Sequence, residues 1–272
     1  MAETPEENRV LAMEEFRLGR TVVASTPILL TLESTSICNL RCVMCPHSIG
    51  GVIRPKHLEE ALAEKMASFL RRASSAQLHG IGEPLASPSF WSMLAQVPES
   101  CDSSINTNLT LLDDSRLERL IGSNISMINV SVDAATPETY RKIRGHEFEE
   151  LLHNIRRLID ARNLAGKSRP AVWLNMTIMR SNIEETPAFV ELASTLGADA
   201  VCFWHLNRWE PHEMDHYRAK GFDYAAEGLW NYPELSNRYL REAMAVGERL
   251  NLPIKLDLVS KNIFFEENGE GL

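Results

Sequence analysis

Apolar positions along this chain alternate between short strand-like runs and helical repeats. The opening run "PEENRVLAMEEFRLGR" has a helical apolar pattern, and "TPILLTLESTS" then reads as a buried strand running into a cysteine-rich loop. A helix from His57 to Ala73 precedes the strand "SAQLHGIG", and a short helix around "SFWSMLAQV" precedes "SSINTN". The helix in "DDSRLERLIG", with Asp113 or Asp114 suited to cap it, leads to "SMINVSVD". Next, "EFEELLHNIRRLIDARNLA" leads to "AVWLNMTIM", and "IEETPAFVELASTLG", with Gly197 where a C-terminal cap belongs, leads to "ADAVCFWHL".

Six strand-helix alternations predict an α/β fold with a parallel sheet and connecting helices, and apolar strands without clean alternation suit a sheet covered on both faces. Such a chain could form an open doubly wound sheet or an incomplete barrel, and periodicity alone does not separate the two. Past His205 the pattern changes to the polar and aromatic "NRWEPHEMDHYRAKGFDY". A helix in "PELSNRYLREAMAVGERL", a short strand in "PIKLDL" and a tail, "EENGEGL", of disordered composition follow. The expected organisation is an N-terminal helical segment over residues 1–27, a core over 28–206 and a C-terminal extension over 207–272.

At 272 residues and 44 % hydrophobic, the chain can bury one large core. No run approaches the roughly 18 to 20 apolar residues that span a bilayer, and "MAETPEENRV" is acidic where a signal peptide would be basic and then apolar. A cytoplasmic protein without a membrane partner is expected. A net charge of −9 argues against a broad phosphate-binding surface, which needs clustered Lys and Arg, and so against nucleic acid as partner. A small molecule, a peptide or a protein is the expected substrate.

Charge leaves the cysteines unexplained. Five in odd number at uneven spacing point to metal binding or catalysis rather than a disulfide framework in a reducing compartment. Three of them, Cys38, Cys42 and Cys45, fall within "CNLRCVMC", which places three thiols on one tight loop after a predicted strand. Thiolates select zinc, copper(I) or iron–sulfur clusters. Structural zinc closes four positions, and the nearby fourth ligand, His47, lies one residue past Pro46 in a poor position to close a tetrahedral knot. A [4Fe–4S] cube bound through three irons, with the fourth left open for chemistry, suits the loop better. A zinc-stabilised binding module and a chance cluster of buried thiols are the competing readings.

The C-x3-C-x2-C spacing resembles that of the radical S-adenosylmethionine (SAM) superfamily, and "CNLRCVMCP" looks like its branch that includes SPASM-type peptide maturases. The resemblance runs over about residues 28–206 and takes in "GIGEPL" (80–85), "NTNLT" (106–110), "VSVDAATPETYRKIRG" (130–145) and "WLNMTIMRSN" (173–182) in order. It implies a partial (β/α)6 TIM-like barrel with an N-terminal helix and a short C-terminal helical extension. It also implies a [4Fe–4S] cluster on Cys38, Cys42 and Cys45 whose open iron is chelated by SAM. Reductive cleavage then yields a 5′-deoxyadenosyl radical that abstracts hydrogen from a peptide or small metabolite. An external reductant such as flavodoxin or ferredoxin is implied as partner.

Within that resemblance, Gly82, Glu83 and Pro84 belong to the segment that holds the SAM amino group. The family more often has two adjacent glycines here, whereas Ile81 separates Gly80 from Gly82. Ser131 and Asp133 fall on one face of a continuous strand and suit SAM's carboxylate or ribose. Asn106 and Asn175 are candidates for adenosine contacts, Arg144 for the SAM carboxylate, and Met44 for packing over adenine. Asp133 as a helix cap, Arg144 as a solvated helix end and Met44 as core remain open. Cys202, Trp204, His205, Trp209 and His79 are candidates for the substrate mouth. Cys202 is also a candidate hydrogen donor, as an epimerase would require, against the alternative of an inert buried thiol. SPASM-type enzymes carry further cysteines in a C-terminal extension, and here none follows Cys202, so one cluster is expected from the evident ligands.

Overall fold

The computed structural model describes residues 4–49, 53–207 and 211–256. Trp209 and the tail "EENGEGL" lie outside the described residues. The elements run α1 (Pro5–Arg17), β1 (Leu29–Thr31), α2 (Pro46–Ile49), α3 (Glu60–Leu70), β2 (Ser75–Gln77), α4 (Pro88–Leu94), β3 (Asp102–Thr107), α5 (Asp114–Gly122) and β4 (Met127–Ser131). They continue with α6 (Pro137–Arg144), α7 (Phe148–Leu164), β5 (Ala171–Ile178), α8 (Thr186–Leu196), β6 (Ala200–His205), α9 (Pro211–Arg218), α10 (Tyr224–Glu227), α11 (Pro233–Leu250) and β7 (Ile254–Leu256). In the sheet the strands follow chain order from β1 to β7. Pairing is parallel at β1–β2, β2–β3, β5–β6 and β6–β7, as helical crossovers between successive strands require.

The chain divides into two compact units. The first holds Met1–Asn39, Arg54–Asn129 and Asp160–Ala171, and the second holds Leu40–Ile53, Val130–Ile159 and Val172–Leu272.

In the first unit, β1 and β2 pair Leu30 with Ala76, and β2 and β3 pair Ala76 with Ser103. Leu30, Leu78, Phe90 and Ile105 are buried there. The N-terminal helix forms where the apolar pattern predicts, closed by a capping box between Thr4 and Glu7. Its buried face is not the apolar one. Asn8 and Glu15 are buried while Val10, Met13 and Phe16 are exposed. Polar bonding explains this: Asn8 accepts from the Thr26 N–H at 2.8 Å and donates to the Thr26 and Arg72 carbonyls, and Glu15 accepts from the Ala24 N–H at 2.8 Å. Here the helix anchors the chain entering β1 by satisfying its backbone groups rather than by burying hydrocarbon.

In the second unit, β5 pairs with β6 over Trp173–Ile178, which sets Asn175 opposite Cys202, and β6 sets Cys202 opposite Lys255 of β7. α8 ends at Gly197 in the left-handed conformation, φ 78°, as its sequence position predicts. α11 packs along α8, and Arg249 pairs with Glu191 across them at 2.8 Å. The polar and aromatic stretch after β6 supplies a core of its own, in which Tyr217, Phe222 and Tyr224 pack edge to face with one another and cluster with Ile143, Met179 and Leu206. Against this core pack Val43 and Met44 of the cysteine loop.

Candidate active site

The first unit contributes Cys38, Gly82, Glu83, Pro84 and Asn106. The turn after β2 lies against the segment leading to Cys38: the Glu83 N–H donates to the Ile37 carbonyl at 2.9 Å. A Cβ on Gly82 would meet the Thr35 carbonyl oxygen at 2.1 Å and that of Ile37 at 2.8 Å, so the residue must be glycine for the two backbones to approach. Pro84 opens a short 3-10 turn, Pro84–Ala86, capped by Glu83.

The Glu83 carboxylate is 2 % exposed and is spent on the chain itself. It accepts from the Thr107 hydroxyl at 2.6 Å, the Asn108 N–H at 2.7 Å and the Leu85 N–H at 3.1 Å. In the structure these oxygens brace "NTNLT". That segment turns through Leu109 at φ 56°, an uncommon conformation for a bulky residue. Asn108 donates to Asn39 Oδ1 at 3.0 Å and lies 3.8 Å from Cys38 Sγ. Asn106 Oδ1 accepts from Asn129 at 2.9 Å. His79 is half-buried and its Nδ1 has no hydrogen-bond partner; burial holds its pKa below the ordinary value, so the ring is neutral.

The second unit contributes Cys42, Cys45, Met44, Ser131, Asp133, Arg144, Asn175 and Cys202. β4 ends at Ser131, and Asp133 takes a left-handed turn, φ 65°, so the alternation argument that put both on one strand face does not reach Asp133. Nor does Asp133 cap the following helix, because Thr136 does that by accepting from the Thr139 N–H. Asp133 is 1 % exposed. Its Oδ1 accepts from the Thr177 N–H at 2.6 Å, and its carbonyl accepts from Asn182 Nδ2 at 3.0 Å.

Arg144 is not a solvated helix end. Its Nη2 lies 2.5 Å from Asp133 Oδ2, in an ion pair that lacks hydrogen-bond alignment, and its Nη1 donates to Cys42 Sγ at 3.3 Å. Burial opposes the charge on Arg144, but the nearby Asp133 carboxylate and Cys42 outweigh it and hold the pKa above its ordinary value. The Asn175 carbonyl accepts from the Val132 and Asp133 N–H groups, and its Oδ1 is buried without a partner. Asp133 Oδ2, Arg144 Nε and Asn175 Oδ1 are thus among the buried polar atoms of this unit without a hydrogen bond, as are the Tyr140 and Ser236 hydroxyls. Groups left this way cost free energy unless a ligand supplies the missing partner.

None of the five cysteines, all among the described residues, is in a disulfide. Among the described residues no three His, Cys, Asp or Glu side chains converge as a single metal ion requires. The Cys42–Cys45 turn is closed by the Cys45 N–H on the Cys42 carbonyl at 3.0 Å. Burial pushes the Cys45 thiol up. With a cationic donor on Cys42 and an amide beside Cys38, two of the three sulfurs have the N–H neighbours that suit cluster ligands. In the second unit, the buried polar atoms of Asp133, Arg144 and Asn175 suit SAM, and the thiol chemistry of the cysteine loop suits a cluster.

The model of the Radical SAM superfamily matches residues 32–193. The chain belongs to this superfamily. Its members are enzymes that use SAM and a [4Fe–4S] cluster. The chain is 26 % identical over 68 % of its length to a protein of Pyrococcus furiosus named as modifying the cofactor of tungsten-containing aldehyde ferredoxin oxidoreductase. It is 29 % identical over 68 % of its length to the mycofactocin maturase MftC of Mycobacterium tuberculosis. It spans about half of these relatives, 53 % of the first and 46 % of the second. Streptococcus suis SuiB bound to SAM has the same fold, with a TM-score of 0.66 at 15 % identity over 92 % of this chain and 54 % of SuiB. SuiB has also been solved with its precursor peptide SuiA. The parallel sheet and this likeness bear out the expected partial-barrel class.

Thr107, Asn108, Asn182 and Tyr224 escaped the sequence reading. The first two lie inside "NTNLT" and Asn182 ends "WLNMTIMRSN", so the stretches were visible while the individual duties were not. Tyr224 donates its hydroxyl to the Met44 carbonyl, a contact between residues 180 positions apart that no local pattern signals.

Proposed function

We propose that this radical SAM enzyme binds its cluster through Cys38, Cys42 and Cys45 and its SAM beside Asp133, Arg144 and Asn175, and that it acts on a peptide or small metabolite. When bound, cluster and SAM together supply reductive cleavage of a sulfonium bond and hence a hydrogen-abstracting radical. The observation that carries the SAM assignment is the set of buried polar atoms without a hydrogen bond, Asp133 Oδ2, which is ion-paired to Arg144, Arg144 Nε and Asn175 Oδ1. A carboxylate suits the unspent Arg144 N–H, and hydroxyl or amino donors suit Asp133 Oδ2 and Asn175 Oδ1. Gly82 and Pro84 act through the shape of the turn, which Glu83 braces from inside. Asn106 and Ser131 complete the polar set, and Met44, half-buried, offers a polarizable surface for adenine.

Register sets Cys202 opposite Asn175, and paired positions on neighbouring strands share a face, which supports Cys202 as hydrogen donor to a substrate radical. Its burial, 1 % exposed, favours an inert thiol instead. A peptide substrate is favoured because radical SAM maturases act on peptides, as SuiB with its precursor peptide SuiA illustrates, and a maturase is among the relatives. An external one-electron donor such as flavodoxin or ferredoxin would supply the reducing equivalent. Among the described residues no helix is long and apolar enough to cross a membrane.

The test is anaerobic reconstitution followed by iron, sulfide and zinc analysis. About four irons per chain, lost on Cys38→Ala, Cys42→Ala or Cys45→Ala but kept on Cys101→Ala, support the reading. Stoichiometric zinc in place of iron would sink it.

A further inference from the structure

Arg144 touches a proposed cluster ligand as well as a proposed SAM residue, and the two contacts have different consequences. It closes α6 just before Gly145, which takes the left-handed conformation at φ 70° and ends the helix. The neighbouring residues fix its reach: the Val43 N–H donates to the Ile143 carbonyl at 3.0 Å, so Cys42 and Arg144 lie next to a shared backbone bond. The side chain is 11 % exposed. Its guanidinium then has Asp133 Oδ2 at 2.5 Å on one nitrogen and Cys42 Sγ at 3.3 Å on another. Asp133 is itself fixed, by the Thr177 N–H on its other oxygen and by Asn182 on its carbonyl. One turn earlier on α6, the buried Tyr140 hydroxyl has no hydrogen-bond partner, and burial pushes its pKa up, so it brings no competing negative charge.

A fixed cation donating to a ligand sulfur favours the more electron-rich state of the metal centre behind that sulfur. Hydrogen bonds to sulfur, net charge and solvent exposure are the levers by which proteins set iron–sulfur potentials. In a buried site the charge is poorly screened and acts strongly. The Asp133 carboxylate works in the opposite sense, because it offsets part of the positive charge that the sulfur would otherwise face.

We propose that Arg144 is a positioning residue for electron entry: held by Asp133, it raises the reduction potential of the cluster through Cys42, and Asp133 tempers that rise. The inference rests on the reading of Cys38, Cys42 and Cys45 as cluster ligands. A structural ion pair with no electronic role would also be buried and bonded, so the test must read the sign of an effect and not merely a loss.

The experiment is a redox titration of the reconstituted protein with dithionite and mediators, without SAM, followed by electron paramagnetic resonance. Arg144→Met should shift the midpoint potential downward, and Arg144→Lys should shift it less in the same direction. Asp133→Asn keeps a residue type that tolerates the left-handed turn and should shift the midpoint upward. Should Arg144→Met fail to fold because Asp133 is left unpaired, the double variant Asp133→Asn/Arg144→Met removes both charges, and its midpoint should lie below that of Asp133→Asn alone. Unmoved midpoints, or shifts of one sign in all the variants, would overturn the inference while leaving the cluster in place. Failure of the wild-type protein to bind a four-iron cluster would overturn the reading of the cysteines and this inference with it.

Discussion

Glu83 in the first unit and Asp133 in the second are both buried carboxylates beyond the end of a strand, and each has a left-handed non-glycine residue at its site, Leu109 for one and Asp133 itself for the other. Glu83 gives its oxygens to Thr107, Asn108 and Leu85 and so fixes the course of the backbone. Asp133 keeps one oxygen for the Thr177 N–H and turns the other to a cation, without an aligned hydrogen bond. The comparison separates two uses of buried charge. In the first, every donor belongs to the chain, and the carboxylate contributes to folding. In the second, an acceptor, a donor and an amide oxygen have no hydrogen bond, and these are the atoms to which the proposed ligand would supply partners.

The comparison predicts unequal effects of substitution. Glu83→Ala leaves three donors without an acceptor in a buried place, which should cost the apo protein about 3 kcal/mol or more in urea unfolding; Glu83→Gln should cost less. An unchanged midpoint of unfolding would show that Glu83 does not brace the turn. Asn175→Ala should change apo stability by no more than about 1 kcal/mol, since it deletes an oxygen that has no partner, yet weaken SAM binding by roughly tenfold in calorimetry. A large stability loss with unchanged SAM affinity would reverse the roles assigned to the two units.

Smaller effects sharpen the same contrast. Tyr224→Phe removes the hydroxyl that holds the Met44 carbonyl and should cost about 1 kcal/mol. Hydrogen exchange should then speed up at the Val43 and Cys45 amides, while Glu83 and its partners are unaffected. Burial and the neighbouring Asp102 push the Cys101 thiol up to about 11. Iodoacetamide at pH 8 should therefore leave Cys101 unmodified in the folded protein and label it only after unfolding.

His79 gives the smallest signal. Its folded pKa lies below the usual 6.5, so between the two values the unfolded chain binds the extra proton. Its contribution is present above pH 6.5 and lost as pH falls through the folded value. Thermal unfolding followed below neutrality should lose less stability in His79→Gln than in wild type.

Much of the architecture was legible because strand and helix patterns repeat locally. Apolar runs and caps located the sheet, Asp113 caps α5, and Gly197 ends α8 as read. The cysteine loop was legible for the same reason, since its ligands lie within one short segment. What local pattern could not show was how polar groups are spent. The apolar stripe of α1 faces solvent because Glu15 meets backbone 9 positions on and Asn8 meets backbone as far as 64 positions on. The Glu83 oxygens go to residues some 25 positions away, and Asp133 leaves the strand at a left-handed turn that alternation does not foresee. The stretch after β6 reads only as polar and aromatic in sequence, and Tyr217, Phe222 and Tyr224 in it form a core that packs on Val43 and Met44.

The most direct test of the account is the fate of SAM on the reduced, reconstituted protein. With a full four-iron cluster, the account predicts slow formation of 5′-deoxyadenosine and methionine in equal amounts, greatly reduced in Asn175→Ala and Arg144→Met although their iron content stays close to wild type. A full, reducible cluster that neither binds nor cleaves SAM would contradict it.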